Sequence, residues 1–144
     1  MITTDRQLKA SKEKLEMLRG SLTSKANPRV NPAFQKAGKM QAQALVSELE
    51  SQVARYEELR KRGLAAIKIS SPADILVLPI EFRIAKHLTQ QQFAEFVDVP
   101  LRQICRYELS EYNSINGETL KKILDKLSSS ISVAGKVLDL AKGV

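Results

Sequence analysis

The stretch Arg83-Ile84-Ala85-Lys86-His87-Leu88-Thr89-Gln90-Gln91-Gln92-Phe93-Ala94-Glu95-Phe96-Val97-Asp98-Val99-Pro100-Leu101-Arg102-Gln103-Ile104-Cys105-Arg106-Tyr107-Glu108 decides how the chain is read. It spells two short amphipathic helices joined by a tight turn. Thr89 followed by Gln92 is a capping box: the threonine oxygen can accept from the amide three residues on, and the glutamine can reach back to the Thr89 amide. Phe93, Ala94 and Val97 then form one apolar face. Asp98-Val99-Pro100 ends that helix, because proline resists its continuation and fits the first turn of the next.

On the helix after the turn, at about 100° per residue, Leu101, Arg102, Cys105 and Arg106 fall on one side and Ile104 on the opposite one. One face docks and the other is free. Arginines four residues apart near the start of an exposed helix suit bidentate recognition of guanine edges in duplex DNA, each good pair being worth about 1–3 kcal/mol of discrimination.

Working outward, Leu120, Ile123, Leu124 and Leu127 predict a helix over 117–128. Helices are expected near 79–87, 89–97 and 100–108, and a weaker helical element near 131–141. Ser71-Pro72-Ala73-Asp74 resembles a helix start, and the segment before it, Leu64 to Ser71, carries no clear periodicity. The domain boundary is placed there, giving an amino-terminal part, 1–66, and a carboxy-terminal part, 72–144.

In the amino-terminal part Leu8, Leu15 and Leu22 recur every seven residues, with Leu18 on the same side, which predicts an amphipathic helix from Thr4 to Leu22. Pro28 and the small polar residues from Thr23 to Asn31 break it, and Asn31-Pro32 supplies a cap and first position for another. Ala42, Leu49 and Tyr56 carry the next helix to Arg60-Lys61-Arg62, where cations and then Gly63 form a stop signal. Two such helices joined by a short connection predict a coiled-coil-like hairpin or pairing with a second copy. The fold class is therefore all-α.

The formal net charge is +7, but it is unevenly spread: residues 1–73 hold 14 Lys+Arg against 7 Asp+Glu, whereas residues 74–144 hold 9 against 9. Broad attraction to phosphate must come from the amino-terminal half. The one cysteine, Cys105, excludes an intramolecular disulfide and suits a reducing compartment. No apolar run nears membrane-spanning length, and the opening residues lack a signal-peptide core, so a cytoplasmic location is expected. His87 is the only histidine, which removes histidine-based metal clusters and acid–base pairs; it is read as ending the first of the two quoted helices. No nucleophile–base arrangement, glycine-rich phosphate loop or metal-binding spacing is present, so neither an enzyme nor a bound cofactor is expected. Glu48, Glu50, Glu57 and Glu58 read as a solvated helical face rather than catalytic carboxylates.

Thr89-Gln90-x-x-Phe93-Ala94, then Val99, Ile104, Arg106 and Glu108, then Thr119-Leu120, resembles the Xre/Cro-type helix-turn-helix family of bacterial and phage repressors over residues 79–128. The resemblance implies an ion pair between Arg83 and Glu108, a phosphate or base-adjacent role for Gln90 beside Thr89, base-facing positions at Leu101, Arg102 and Arg106, and Gln103 at the edge of that surface. Family members commonly carry glycine at the position of Asp98, a hydroxyl residue at that of Pro100, and Asn-Gly where this chain has Leu109-Ser110. The whole chain is similar to a subset grouped with HigA-like antitoxins. That likeness implies autoregulation and a toxin protein as partner. The leading expectation is a repressor that binds an inverted-repeat operator in double-stranded DNA as a homodimer, a two-fold partner placing a second reading helix one turn along the duplex. A protein-interaction module that uses the same scaffold without reading DNA is the competing expectation, favoured by the neutral carboxy-terminal half.

Overall fold

A computed structural model describes residues 1–24 and 27–131, and every regular element among them is helical. The elements are α1 (Asp5–Thr23), α2 (Pro32–Arg62), a short 3₁₀ turn (Gly63–Ala66), α3 (Pro72–Ala85), α4 (Gln90–Val97), α5 (Leu101–Leu109) and α6 (Gly117–Ile131). The element expected near 131–141 falls almost wholly outside the described residues. Contacts divide the chain into two compact units, Met1–Glu57 and Glu58–Val144, and the division falls inside α2.

In the first unit the capping residues act as their chemistry dictates. Thr4 accepts from the Gln7 amide at 3.2 Å and starts α1, and Asn31 Oδ1 accepts from the Ala33 amide at 2.9 Å and starts α2 at Pro32. The heptad leucine Leu15 and the α2 residues Leu49 and Tyr56 are buried. Cross-helix polar pairs run in opposite senses along the chain: Tyr56 Oη donates to Asp5 at 2.7 Å, Lys12 meets Glu57 at 2.6 Å and Arg19 meets Glu50 at 2.8 Å. Both ion pairs are about half exposed, so each contributes at most about 1 kcal/mol and chiefly sets alignment.

Gly63 ends α2 as expected, with φ of 63° that a side chain would resist. In the second unit α3 is the central element: Leu78 to Ala85 are all buried, and α3 packs on both the 3₁₀ turn and α6. The helix starts where Ser71-Pro72-Ala73-Asp74 signals a start, at Pro72, and runs through Pro79, so the helix expected near 79–87 is corrected to a longer one. Asp74 is the reason. Its carboxylate accepts from the Ser70 and Ser71 amides at 2.8 and 3.0 Å and satisfies donors that a helix start leaves open, so the first turn forms upstream of the proline. The Ser70 and Ser71 hydrogen bonds also hold the Asp74 carboxyl below its ordinary pKa.

Phe82 of α3 packs on Phe93 and Phe96 of α4, with ring centroids 6.4 and 5.9 Å apart. Ile123 and Leu127 of α6 are fully buried, as their one-face spacing predicts. Asn116 caps α6 by accepting from the Thr119 amide at 2.8 Å. His87 ends α3 with φ of 56°, and its amide donates to Ile84 O at 3.1 Å.

The turn between α4 and α5 hangs on Asp98, which sits in the left-handed region at φ 55°, ψ 48°. Its backbone closes the end of α4, with the Val99 amide donating to Ala94 O at 3.0 Å, and Lys122 of α6 donates to Asp98 O at 2.8 Å. A residue with a side chain is strained there, and the Asp98 carboxylate lies 3.8 Å from Lys122 in an exposed position where an ion pair counts for little. Asp98→Gly keeps the carbonyl contact and removes the strain. We expect it to raise stability by about 0.5–1 kcal/mol, read as a higher urea midpoint at unchanged slope.

Candidate nucleic-acid interface

The quoted segment folds as its spacing predicts. Thr89 and Gln92 make the reciprocal capping bonds at 2.9 and 3.1 Å, so α4 has a fixed start at Gln90. Pro100 serves as N-cap of α5 rather than as its first residue, its carbonyl accepting from the Gln103 and Ile104 amides at 2.9 and 3.1 Å. Proline offers no side-chain cap, so the backbone carbonyl alone anchors the first turn.

Helix α5 is sharply two-faced. Ile104 is fully buried and Tyr107 and Glu108 nearly so, whereas Leu101, Arg102, Arg106 and Leu109 are exposed. Those exposed positions, with half-buried Cys105, follow the i, i+1, i+4, i+5, i+8 spacing of a single helix face. The roll of α5 is set by one carboxylate. Arg83 Nε donates to Glu108 Oε2 at 2.7 Å and Arg83 Nη2 donates to Oε1 at 2.8 Å, a bidentate pair whose side chains are only 5% and 3% exposed. Arg83 Nη1 also donates to Leu88 O at 3.0 Å, and Gln90 Nε2 donates to Glu108 Oε1 at 3.0 Å. All three guanidinium nitrogens and both carboxylate oxygens are thus engaged in hydrogen bonds, the condition under which a buried ion pair is tolerated.

The residues picked out by sequence divide accordingly. Arg102 and Arg106 stand exposed on the free face of α5, and the Arg106 guanidinium lies 5.6 Å from the Tyr107 ring centroid. Leu101 is 37% exposed beside them. Thr89 is exposed, but its hydroxyl is engaged in the capping box. Gln90 is half-buried between Glu108 and the Cys105 thiol, which donates weakly to Gln90 Oε1 at 3.4 Å, so its first task is to tie α4 to α5. Gln103 is half-buried and lies 3.5 Å from the Tyr107 hydroxyl, at the border of the free face.

Tyr112, just beyond α5, has a setting that the local spacing does not signal. It is fully buried 5.6 Å from the Tyr107 ring, and Glu111 and Tyr112 take successive left-handed conformations at φ 51° and 64°. Its hydroxyl has no hydrogen-bond partner among the described residues. Burial, followed by the negative charge of Glu108, pushes the Tyr112 phenol above its ordinary pKa, with Arg83 opposing. Nothing in local spacing signals this; the departure from Asn-Gly after Glu108 was the only mark of an unusual turn. Among the described residues no cluster of three or more His, Cys, Asp or Glu side chains could hold a metal ion, and no helix is long and apolar enough to cross a membrane.

Two stability measurements test this account. Arg83→Ala leaves Glu108 buried without its cation and is expected to cost about 3–5 kcal/mol; a denaturation midpoint within error of wild type would refute the clamp. Tyr112→Phe removes a buried hydroxyl that has no partner among the described residues, and is expected to leave stability unchanged or raise it by about 1 kcal/mol. A loss of 1 kcal/mol or more in Tyr112→Phe would show that the hydroxyl is satisfied.

No curated protein and no solved structure matches the chain. A family model described as HTH_3, helix-turn-helix, matches residues 80–133, which covers α4, the Asp98 turn, α5 and α6. Residues 80–133 are accordingly a helix-turn-helix domain of the Xre/Cro type, and the match points to DNA-binding transcription regulation.

Proposed function

We propose that this chain is a cytoplasmic transcriptional repressor that binds an inverted-repeat operator as a homodimer, with α5 reading bases in the major groove. One observation carries the reading: Arg102 and Arg106 project from a helix that Ile104 and Glu108 hold against the domain. A two-fold partner would place a second reading helix about 34–36 Å along the duplex, one turn away. Phosphate contacts fix the register and the two arginines select guanine.

Residues 74–144 are electrically balanced, so the arginines act by direct contact rather than through a broad field. The surplus charge lies in residues 1–73. Residues 17–47 contain Arg19, Lys25, Arg29, Lys36 and Lys39 and no Asp or Glu, and Met17, Phe34 and Met40 on that stretch are 77%, 74% and 61% exposed. The opposed order of the α1–α2 pairings favours an antiparallel hairpin, and these exposed apolar groups favour a role for it in the dimer contact or in holding a partner protein. An autoregulating antitoxin with a toxin as that partner is the specific form of this reading. The same surface supports the second reading, a protein-interaction module that does not read DNA.

Arg102→Ala and Arg106→Ala are each expected to weaken operator binding about 5- to 150-fold, equivalent to about 1–3 kcal/mol, with the thermal midpoint unchanged. Binding of a duplex selected from a random pool measures the first and a melting curve the second. Raising salt from 50 to 200 mM should weaken that binding steeply as counterions return. A selected pool without a palindrome, or operator affinity equal to wild type in both variants, would sink the repressor reading and leave the interaction module.

A further inference from the structure

The free face of α5 is not uniformly polar. Leu101, Cys105 and Leu109 recur at i, i+4 and i+8 along it, with Arg102 and Arg106 on one flank. Leu101 is the first residue of the helix and 37% exposed, and the adjacent Cys105 is held toward the body of the domain by its contact with Gln90. Helix-turn-helix readers enter the major groove by the amino-terminal residues of the second helix, which is where Leu101 and Arg102 stand.

A leucine side chain offers neither donor nor acceptor. Pressed against guanine N7 and O6, adenine N7 and N6 or cytosine N4, it would strip water from a polar edge and return no hydrogen bond. The thymine 5-methyl is the apolar group that base pairs display in the major groove. We infer that Leu101, backed by Cys105, is a specificity-determining residue that selects thymine through its 5-methyl, next to the guanine taken by Arg102. This rests on the operator-binding reading above. Selection acts twice, since the methyl is buried at thymine and a polar edge is left unsatisfied at any other base. Leu109 shares the face and is 86% exposed, but it lies about 12 Å further along the helix axis, at the end that leaves the groove. It provides an internal control.

The test uses the full chain and the duplex selected from a random pool. Each thymine of both half-sites is replaced in turn by deoxyuridine, which keeps every hydrogen-bonding group and lacks only the methyl. Wild type is expected to lose about fourfold in affinity per methyl at one symmetric position, or about sixteenfold with both half-sites replaced. Leu101→Ala should bind more weakly yet make no distinction between thymine and uracil there, while Leu109→Ala keeps the wild-type distinction. The inference is overturned if no thymine is sensitive to loss of its methyl, if the penalty survives in Leu101→Ala, or if it disappears in Leu109→Ala. Leu101→Ala that binds both duplexes as tightly as wild type would assign this leucine to a protein contact instead, which also overturns it. Recovery of no specific duplex at all would count against the operator-binding reading, and the inference would fall with it.

Discussion

The Glu108 carboxylate is the constraint on which the second unit turns. Its oxygens receive Arg83 from the central helix and Gln90 from the start of α4, so one group at the end of α5 registers three helices against each other. Such a pair adds little net stability over well-packed apolar residues of the same volume, because desolvating two charges offsets most of their attraction. Its contribution is directional. Bidentate geometry admits one roll of α5 about its axis, and that roll sends Ile104 inward and the two arginines outward.

Both ends of α5 are held by backbone conformations that side chains resist. Asp98 precedes it in the left-handed region, and Glu111 and Tyr112 follow it there. Each such residue costs on the order of 1 kcal/mol or more, and surrounding contacts offset that cost. Lys122 grips the Asp98 carbonyl from α6, and Tyr112 is driven into the core beside Tyr107. A nine-residue helix too short to be stable alone is thereby fixed at its start, along one face and at its end.

The two units divide the physical work. Within the second, residues 74–144 are neutral in total charge and present two localised cations on a rigid helix, an arrangement suited to contact-range selection. The first exposes Met17, Phe34 and Met40 on the basic stretch 17–47, which has no acids, an arrangement suited to attraction and apolar docking. The ion pairs Lys12–Glu57 and Arg19–Glu50 set alignment within that unit more than they hold it together.

Much of the helical layout was legible in the sequence, because it depends on short-range chemistry. The Thr89–Gln92 box, the Asn31-Pro32 start, the Gly63 stop and the apolar face of α6 each follow from residues within one or two turns of each other. The exposure of Arg102 and Arg106 followed likewise from their angular distance from Ile104. The start signal Ser71-Pro72-Ala73-Asp74 was legible too, but the helix expected near 79–87 was placed seven residues too late, although the Asp74 carboxylate already caps a turn at Pro72. Tertiary structure alone decided the rest. That Gln90 bonds to Glu108 and Cys105, and that Tyr112 buries its hydroxyl with no partner among the described residues, depends on which groups meet across helices far apart in the chain. Spacing along a chain fixes the face on which a side chain emerges, but only packing determines what that face meets.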